Sequence, residues 1–215
     1  MDDTQKKGRS LSDRSAAIGC LAEIIAGMKA AITPFTQHLL ELFYRAVSDP
    51  DAEVQSNAAF AVGMLVESSE QDLSPQYLPL LGALRPLFNV NPDASSARLN
   101  ARDNASGAVA RFILKNTSAV PLDQVIPVLL SALPLQNDFL ENRPIFQAIF
   151  HLFRTNAQSL HPYIGNLLPI FAHVLDPSAT DQISADIRGE LIELIRALAA
   201  EDPGKVQAAG LSAFA

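Results

Sequence analysis

An all-α superhelix of stacked antiparallel helix pairs is the fold class that this 215-residue sequence predicts, on three observations. Apolar residues recur at three- and four-residue intervals along almost the whole chain, the spacing of one α-helical face. No sustained alternation of β-branched and polar residues flanked by hairpin turns signals a strand. A small residue inside an apolar helix returns in register at Gly19, Gly63, Gly107, Ala148 and Gly189, at intervals of 44, 44, 41 and 41 residues.

Helix pairs of about 40 to 47 residues are the unit of HEAT and armadillo solenoids, and the residues around each marker fit a HEAT-type stack. Two positions before it stand Ala17, Ala61, Ala105, Phe146 and Ile187, and two after it Leu21, Leu65, Val109, Phe150 and Leu191. Five after it come Ile24, Ser68, Phe112, Phe153 and Leu194. These offsets make one stripe of a helix, read as the face that packs into the stack, with the small marker letting a neighbouring helix come close.

Taken in order, residues 1–11 are a polar stretch, and the first marked helix runs from about Ser12 to Met28. No partner helix precedes it, so it should expose an apolar face and read as part of a longer solenoid. Partner helices are expected at Pro34 to Val47, Pro75 to Phe88, Pro121 to Leu133 and Pro162 to Leu175, since proline fits a first turn whose N–H has no acceptor anyway. Pro79, Pro127 and Pro169 lie further in and should sit near the first turn or bend the helix. Ser48-Asp49-Pro50-Asp51 and Asp176-Pro177-Ser178 reverse the chain, with Asp and Ser placed as caps. Asn91 to Ala97 is a longer polar connection, the segment expected to be most mobile. The solenoid thus covers residues 12–202, about four and a half helix pairs, and 203–215 is its end or a partial capping helix.

Composition narrows the partners. With 16 Lys plus Arg against 23 Asp plus Glu, the formal charge of -7 repels phosphates, so a basic protein partner is expected and nucleic acid is not. Aromatic residues at 7%, no Trp and 10 Gly leave little for base stacking or a phosphate loop. Apolar runs such as Val125 to Leu135 break well short of the roughly 20 residues of a membrane span, so no membrane contact is expected. The single Cys20 cannot form an internal disulfide, and it points to a reducing, intracellular compartment. His38, His151, His161 and His173 form no zinc motif, no nucleophile elbow or phosphate loop is present, and Ser106 lies inside a helix where its hydroxyl bonds back to the backbone. No catalytic residue, metal or cofactor is expected.

If offsets -2, +2 and +5 pack inward, the stripe at -6, -3, +1 and +4 is a second face, at most partly covered. It reads Asp13, Ala16, Cys20, Glu23, then Asn57, Phe60, Met64, Glu67, then Ala101, Asn104, Ala108, Arg111. The fourth repeat gives Asn142, Ile145, Ile149, Leu152, and the fifth Ile183, Asp186, Glu190, Glu193. Stacked, these make a ladder of carboxylates and amides that suits an extended Lys-rich segment: amides for its backbone, carboxylates for its ammonium groups, apolar rungs for its methylene stems. Arg111 interrupts the acids, and the fourth repeat is mostly apolar.

Three segments carry a resemblance. Asp49-Pro-Asp-Ala-Glu-Val-Gln-Ser-Asn-Ala-Ala-Phe-Ala-Val-Gly63 resembles the HEAT turn and second helix of importin-β (karyopherin-β) family transport receptors. Arg102-Asp-Asn-Ala-Ser-Gly-Ala-Val-Ala-Arg111 is similar to a run in its C-terminal repeats, Asp13-Arg-Ser-Ala-Ala-Ile-Gly-Cys-Leu-Ala-Glu-Ile-Ile25 resembles the segment that precedes them, and the order of the three is similar to that of the importin-4-like branch, which carries ribosomal proteins and core histones. Gln55 stands where the repeat often has Arg, so no turn-to-helix Asp–Arg contact is expected in that pair. The resemblance implies a shuttling receptor of cytoplasm and nucleus whose second helices line a concave cargo surface. Carried over by motif, Glu23, Asn57, Glu67, Asp103 and Asn104 become the cargo contacts, for basic localisation segments of histones or ribosomal proteins. Ran GTPase would be held mainly by repeats outside this chain, and phenylalanine-glycine nucleoporins are a further partner of the family. A HEAT scaffold subunit of another complex is the alternative reading.

Overall fold

The computed structural model describes residues 10–91, 93–179 and 182–215, and of Leu11 the backbone alone. The polar stretch at 1–11 therefore lies almost wholly outside the described residues, as does Pro92 of the Asn91–Ala97 connection. The described residues are helical and contain no strand, as an all-α solenoid requires. In chain order they form α1 (Leu11–Met28), α2 (Thr36–Ala46), α3 (Ala52–Ser68), α4 (Tyr77–Leu84), α5 (Ser96–Lys115), α6 (Leu122–Ser131), α7 (Asn142–Thr155), α8 (Ile164–Leu175), α9 (Ala185–Glu201) and α10 (Pro203–Ala208). The odd-numbered helices up to α9 carry the five markers, and α2, α4, α6 and α8 are their partners.

Local chemistry sets the boundaries. Ser10 and Asp13 cap each other's backbone N–H at the start of α1, and Asp51 accepts from Glu53 and Val54 N–H at 3.0 and 3.1 Å to start α3. Three of the expected partner helices open on a 3₁₀ turn that holds the proline (Pro34, Pro75, Pro162), and the α-helix proper begins two residues later. Pro121 is the N-cap residue of α6. Ser106 Oγ donates back to Arg102 O at 2.9 Å, the bond expected of a serine inside a helix.

In α3, α5, α7 and α9 the packing stripe is largely buried: Ala61, Leu65, Ala105, Val109, Phe112, Phe146, Phe150, Ile187 and Leu191 all belong to one continuous core. In α1 the same register is open, with Ala17 exposed and Ile24 50% exposed. That openness bears on the membrane expectation. Ser12–Ala46 holds a window with a mean hydropathy of 1.6, 22% of it buried, which is long and apolar enough to cross a membrane by length and composition alone. Ile18, Ala22, Ile25, Ile32, Leu40 and Phe43 of this stretch are buried in the core, while Ile24, Met28, Phe35 and Leu42 are exposed. The stretch is also broken, because Lys29 turns to φ 49° and a 3₁₀ segment through Pro34 separates α1 from α2.

Two of the markers do what close packing asks. A Cβ at Gly63 would stand 2.9 Å from Ala108 Cα, so glycine lets the backbones of α3 and α5 touch. At Gly107 the neighbour is a side chain: a Cβ there would collide with the carboxylate of Glu141. Gly189 faces open space, so its register has no steric cause.

Candidate functional site

Consecutive marked helices pack directly on one another, from α1 on α3 through to α7 on α9, whereas α2, α4, α6 and α8 make at most marginal contact among themselves. The marked helices form this tighter row, the inner row, and their partners the looser outer row. The candidate cargo residues all lie on helices of this row, α1, α3 and α5.

The amides of that row tie neighbouring helices together. Asn57 Nδ2 donates to Ser15 O and Ser15 Oγ, both at 3.0 Å, and Asn104 Nδ2 donates to Ser56 Oγ at 2.9 Å. Asn142 Nδ2 donates to Gln182 O at 2.8 Å. Each bond reaches about one repeat along the chain and replaces the pairing that a buried amide must have. Asn57 keeps partial exposure, but Asn104 is buried.

The continuous ladder is corrected in its middle. From Ala101 to Ile113 every residue of α5 is buried, because α3, α7 and the connection from α6 to α7 enclose it. Asp103 is not a surface carboxylate: with no exposure, its Oδ2 accepts the backbone N–H groups of Gln136, Asn137 and Asp138 at 3.0, 2.8 and 3.1 Å. It anchors the connection from beneath. In the fourth repeat Asn142, Ile145, Ile149 and Leu152 are buried too. The stripe stays open in the first and fifth repeats and half open in the second.

Arg111, which breaks the acid pattern in the sequence, is the hub of this region. Its guanidinium takes Glu67 Oε2 from Nε at 2.8 Å and grips Glu141 with its two terminal nitrogens at 2.5 and 3.2 Å. It also lies 5.6 Å from the centroid of the Phe60 ring. Burial pushes the Glu141 carboxyl above its usual range, against the lowering by Arg111, and burial likewise raises Asp138, with the Asp103 charge adding to it. Glu67 keeps its outer edge in solvent, its side chain 56% exposed. Glu23 is exposed and joins no ion pair among the described residues.

At the far end Asp186 pairs with Arg143 at 2.8 Å, which holds its carboxyl well below the usual carboxylate range, and Glu190 pairs with Arg154. Asp49 receives Arg14 from α1 at 3.2 Å, in place of the Arg absent at Gln55. Arg111, Glu141 and the serine acceptors were not legible as site residues, since each partner lies some 30 to 48 positions away. The only sequence signal was the small residue at Gly107, whose notch receives Glu141.

A second surface lies on the outer row. Leu78, Leu81, Gly82, Phe88, Val125 and Val128 line an apolar groove of about 370 Å³ between α4 and α6, with Leu78 64% exposed at its rim.

No protein-family profile matches the chain. Among known proteins it is 39% identical over 188 residues to the probable importin subunit beta-4 of Schizosaccharomyces pombe, covering 87% of this chain and 17% of that protein. It is 32% identical over 204 residues to importin-4 of Homo sapiens (95% and 18%) and 30% identical over 194 residues to importin-4 of Mus musculus (90% and 17%). The chain spans about a sixth of the length of the curated relatives it matches.

Proposed function

Because the chain belongs to the importin-4-like part of the importin-β family, we propose that it is the portion of a nuclear transport receptor that receives a basic localisation segment on its inner face. The cargo class would be core histones or ribosomal proteins, and the receptor would shuttle between cytoplasm and nucleus. The reading assigns the chain no enzymatic step. The observation that supports it is the open carboxylate and amide edge of the first two repeats, where Glu23 and Glu67 face solvent and Asn57 is partly exposed on the same inner row.

In this reading Glu23 and Glu67 take ammonium groups and Asn57 Oδ1 takes a backbone N–H, while Asp103 and Asn104 act from beneath by fixing α5 against its neighbours. Ran GTPase would bind other repeats of the receptor. The apolar groove between α4 and α6 has the size and character to take phenylalanine side chains, so phenylalanine-glycine nucleoporins fit the outer row.

The test is binding of a fluorescent Lys-rich histone-tail peptide. Affinity should fall as salt rises, and Glu23→Lys, which breaks no ion pair among the described residues, should weaken it about fivefold, the scale of one exposed charge pair of about 1 kcal/mol. Glu67→Gln should do the same. Peptide binding indifferent to both substitutions would remove this face from the reading.

A further inference from the structure

We infer that residues 132–141, the connection from α6 to α7, form a splint that fuses α3, α5 and α7 into one stiff block, about which α9 and α10 swing as a unit. The splint crosses the buried helix α5 and is held at two places. Asp103 gathers three successive backbone N–H groups of the connection, and Leu135 beside them is 3% exposed. Six residues on, Glu141 drops into the notch left by Gly107 and meets Arg111, whose Nε reaches back to Glu67 on α3. One guanidinium thereby joins three consecutive repeats.

Within the block there is no slack. With no side chain at Gly63, the backbone of α3 lies directly against α5 at Ala108, and these two helices share the closest packing of the stack. Arg111 and Glu141 are shielded from solvent, and salt screens a buried pair far less than an exposed one.

The joint between α7 and α9 is built differently. A Cβ at Gly189 would meet nothing within 4 Å among the described residues, and a cleft of about 140 Å³ lined by Phe150, Phe153, Arg154, Glu190, Glu193 and Leu194 opens between the two helices. Its ion pairs are solvent-facing: the side chains of Arg143 and Asp186 are 52% and 59% exposed, those of Arg154 and Glu190 65% and 34%. The inner surface is therefore divided into a fixed part, bearing Asn57 and Glu67, and a movable part bearing Asp186, Glu190 and Glu193.

Double electron–electron resonance tests this in the whole chain with Cys20→Ser, using spin labels at Glu53→Cys on α3, Thr155→Cys on α7 and Ala197→Cys on α9, all exposed positions. The α3–α7 distance should be narrowly distributed and unmoved between about 0.1 and about 1 M salt, which shortens the screening length from about 10 to about 3 Å. Over the same range the α3–α9 distance should shift and broaden. Gly107→Ala, which evicts Glu141 while favouring the helix it sits in, should broaden the α3–α7 distribution with helicity by circular dichroism retained, and Glu141→Gln should act in the same direction. An α3–α7 distribution as broad as the α3–α9 one in the unsubstituted block, or one indifferent to both substitutions, would overturn the splint. Should either variant fail to fold, the two salt series of the parent decide alone.

Discussion

At the scale of single residues, one register position gives opposite answers in two helices. Gly63 and Gly189 both mark the repeat, but the first is buried with Ala108 Cα 2.9 Å from its missing Cβ and the second is exposed with nothing in reach. Alanine in a helix interior gains about 1 kcal/mol over glycine, whereas forcing a methyl group into packed backbone costs about 1 to 3 kcal/mol. Gly189→Ala should raise the urea midpoint, and Gly63→Ala should lower it; a rise for both would mean that α3 and α5 are less tightly packed than their geometry implies. Tyr77 supplies a test in alkali. It is 1% exposed, stacked on Phe112 at 4.8 Å, and burial pushes its hydroxyl up to about 12, with the Asp72 charge adding to the effect. The unfolded tyrosine ionises near 10, so the native state retains a proton that the unfolded chain releases. Stability from this group is whole below pH 10 and is lost as pH climbs through about 12. The phenolate absorbance that Tyr77→Phe removes should therefore appear only well above pH 10 and together with loss of helicity; its appearance near pH 10 with the helices intact would contradict this.

At the scale of elements, the connection from α6 to α7 depends on a carboxylate that belongs to neither helix. Asp103→Ala would leave three backbone N–H groups without their acceptor in a partly buried place, and hydrogen bonds to a charged group contribute about 1.5 to 3 kcal/mol each before non-additivity. A loss of about 3 kcal/mol or more in urea unfolding is expected, with amide exchange at Gln136, Asn137 and Asp138 accelerated first. Unchanged exchange at those amides would show that Leu135 and the Glu141 pair hold the connection without it. This element also marks where sequence reading stopped. The partner helices were legible because proline and Asp caps act within one turn, and the packing stripe was legible because a helix repeats every 3.6 residues. What Asp103 does was not, since its acceptor role is set by amides some 33 to 35 positions ahead, and the sequence offered it only through the motif resemblance, off the ladder offsets. Arg111 failed to read as a hub for the same reason: the sequence shows a cation among acids, and only the fold brings Glu67 and Glu141 to it from opposite sides.

For the whole molecule, the consequence of stacking is that each repeat answers mainly to its neighbours. Leu65 on α3 and Leu191 on α9 hold the same register, and neither has any exposure. Truncating either to alanine removes the same side chain, at a cost of about 2 to 5 kcal/mol in a core. Their settings differ: α3 is packed by α1 on one side and α5 on the other, while α9 has α7 on one side and the short α10 against it. Leu191→Ala should therefore open α9 and α10 as a unit, seen by hydrogen exchange as lost protection in residues 185–208 with the amides of α3 and α5 still slow. Leu65→Ala should lower protection across α1, α3 and α5 together, because removing the central member leaves no neighbour able to bury its own stripe. If Leu191→Ala instead unfolds α3 and α5 in the same step, the stack is one cooperative body, and no part of its inner face can move independently of the rest.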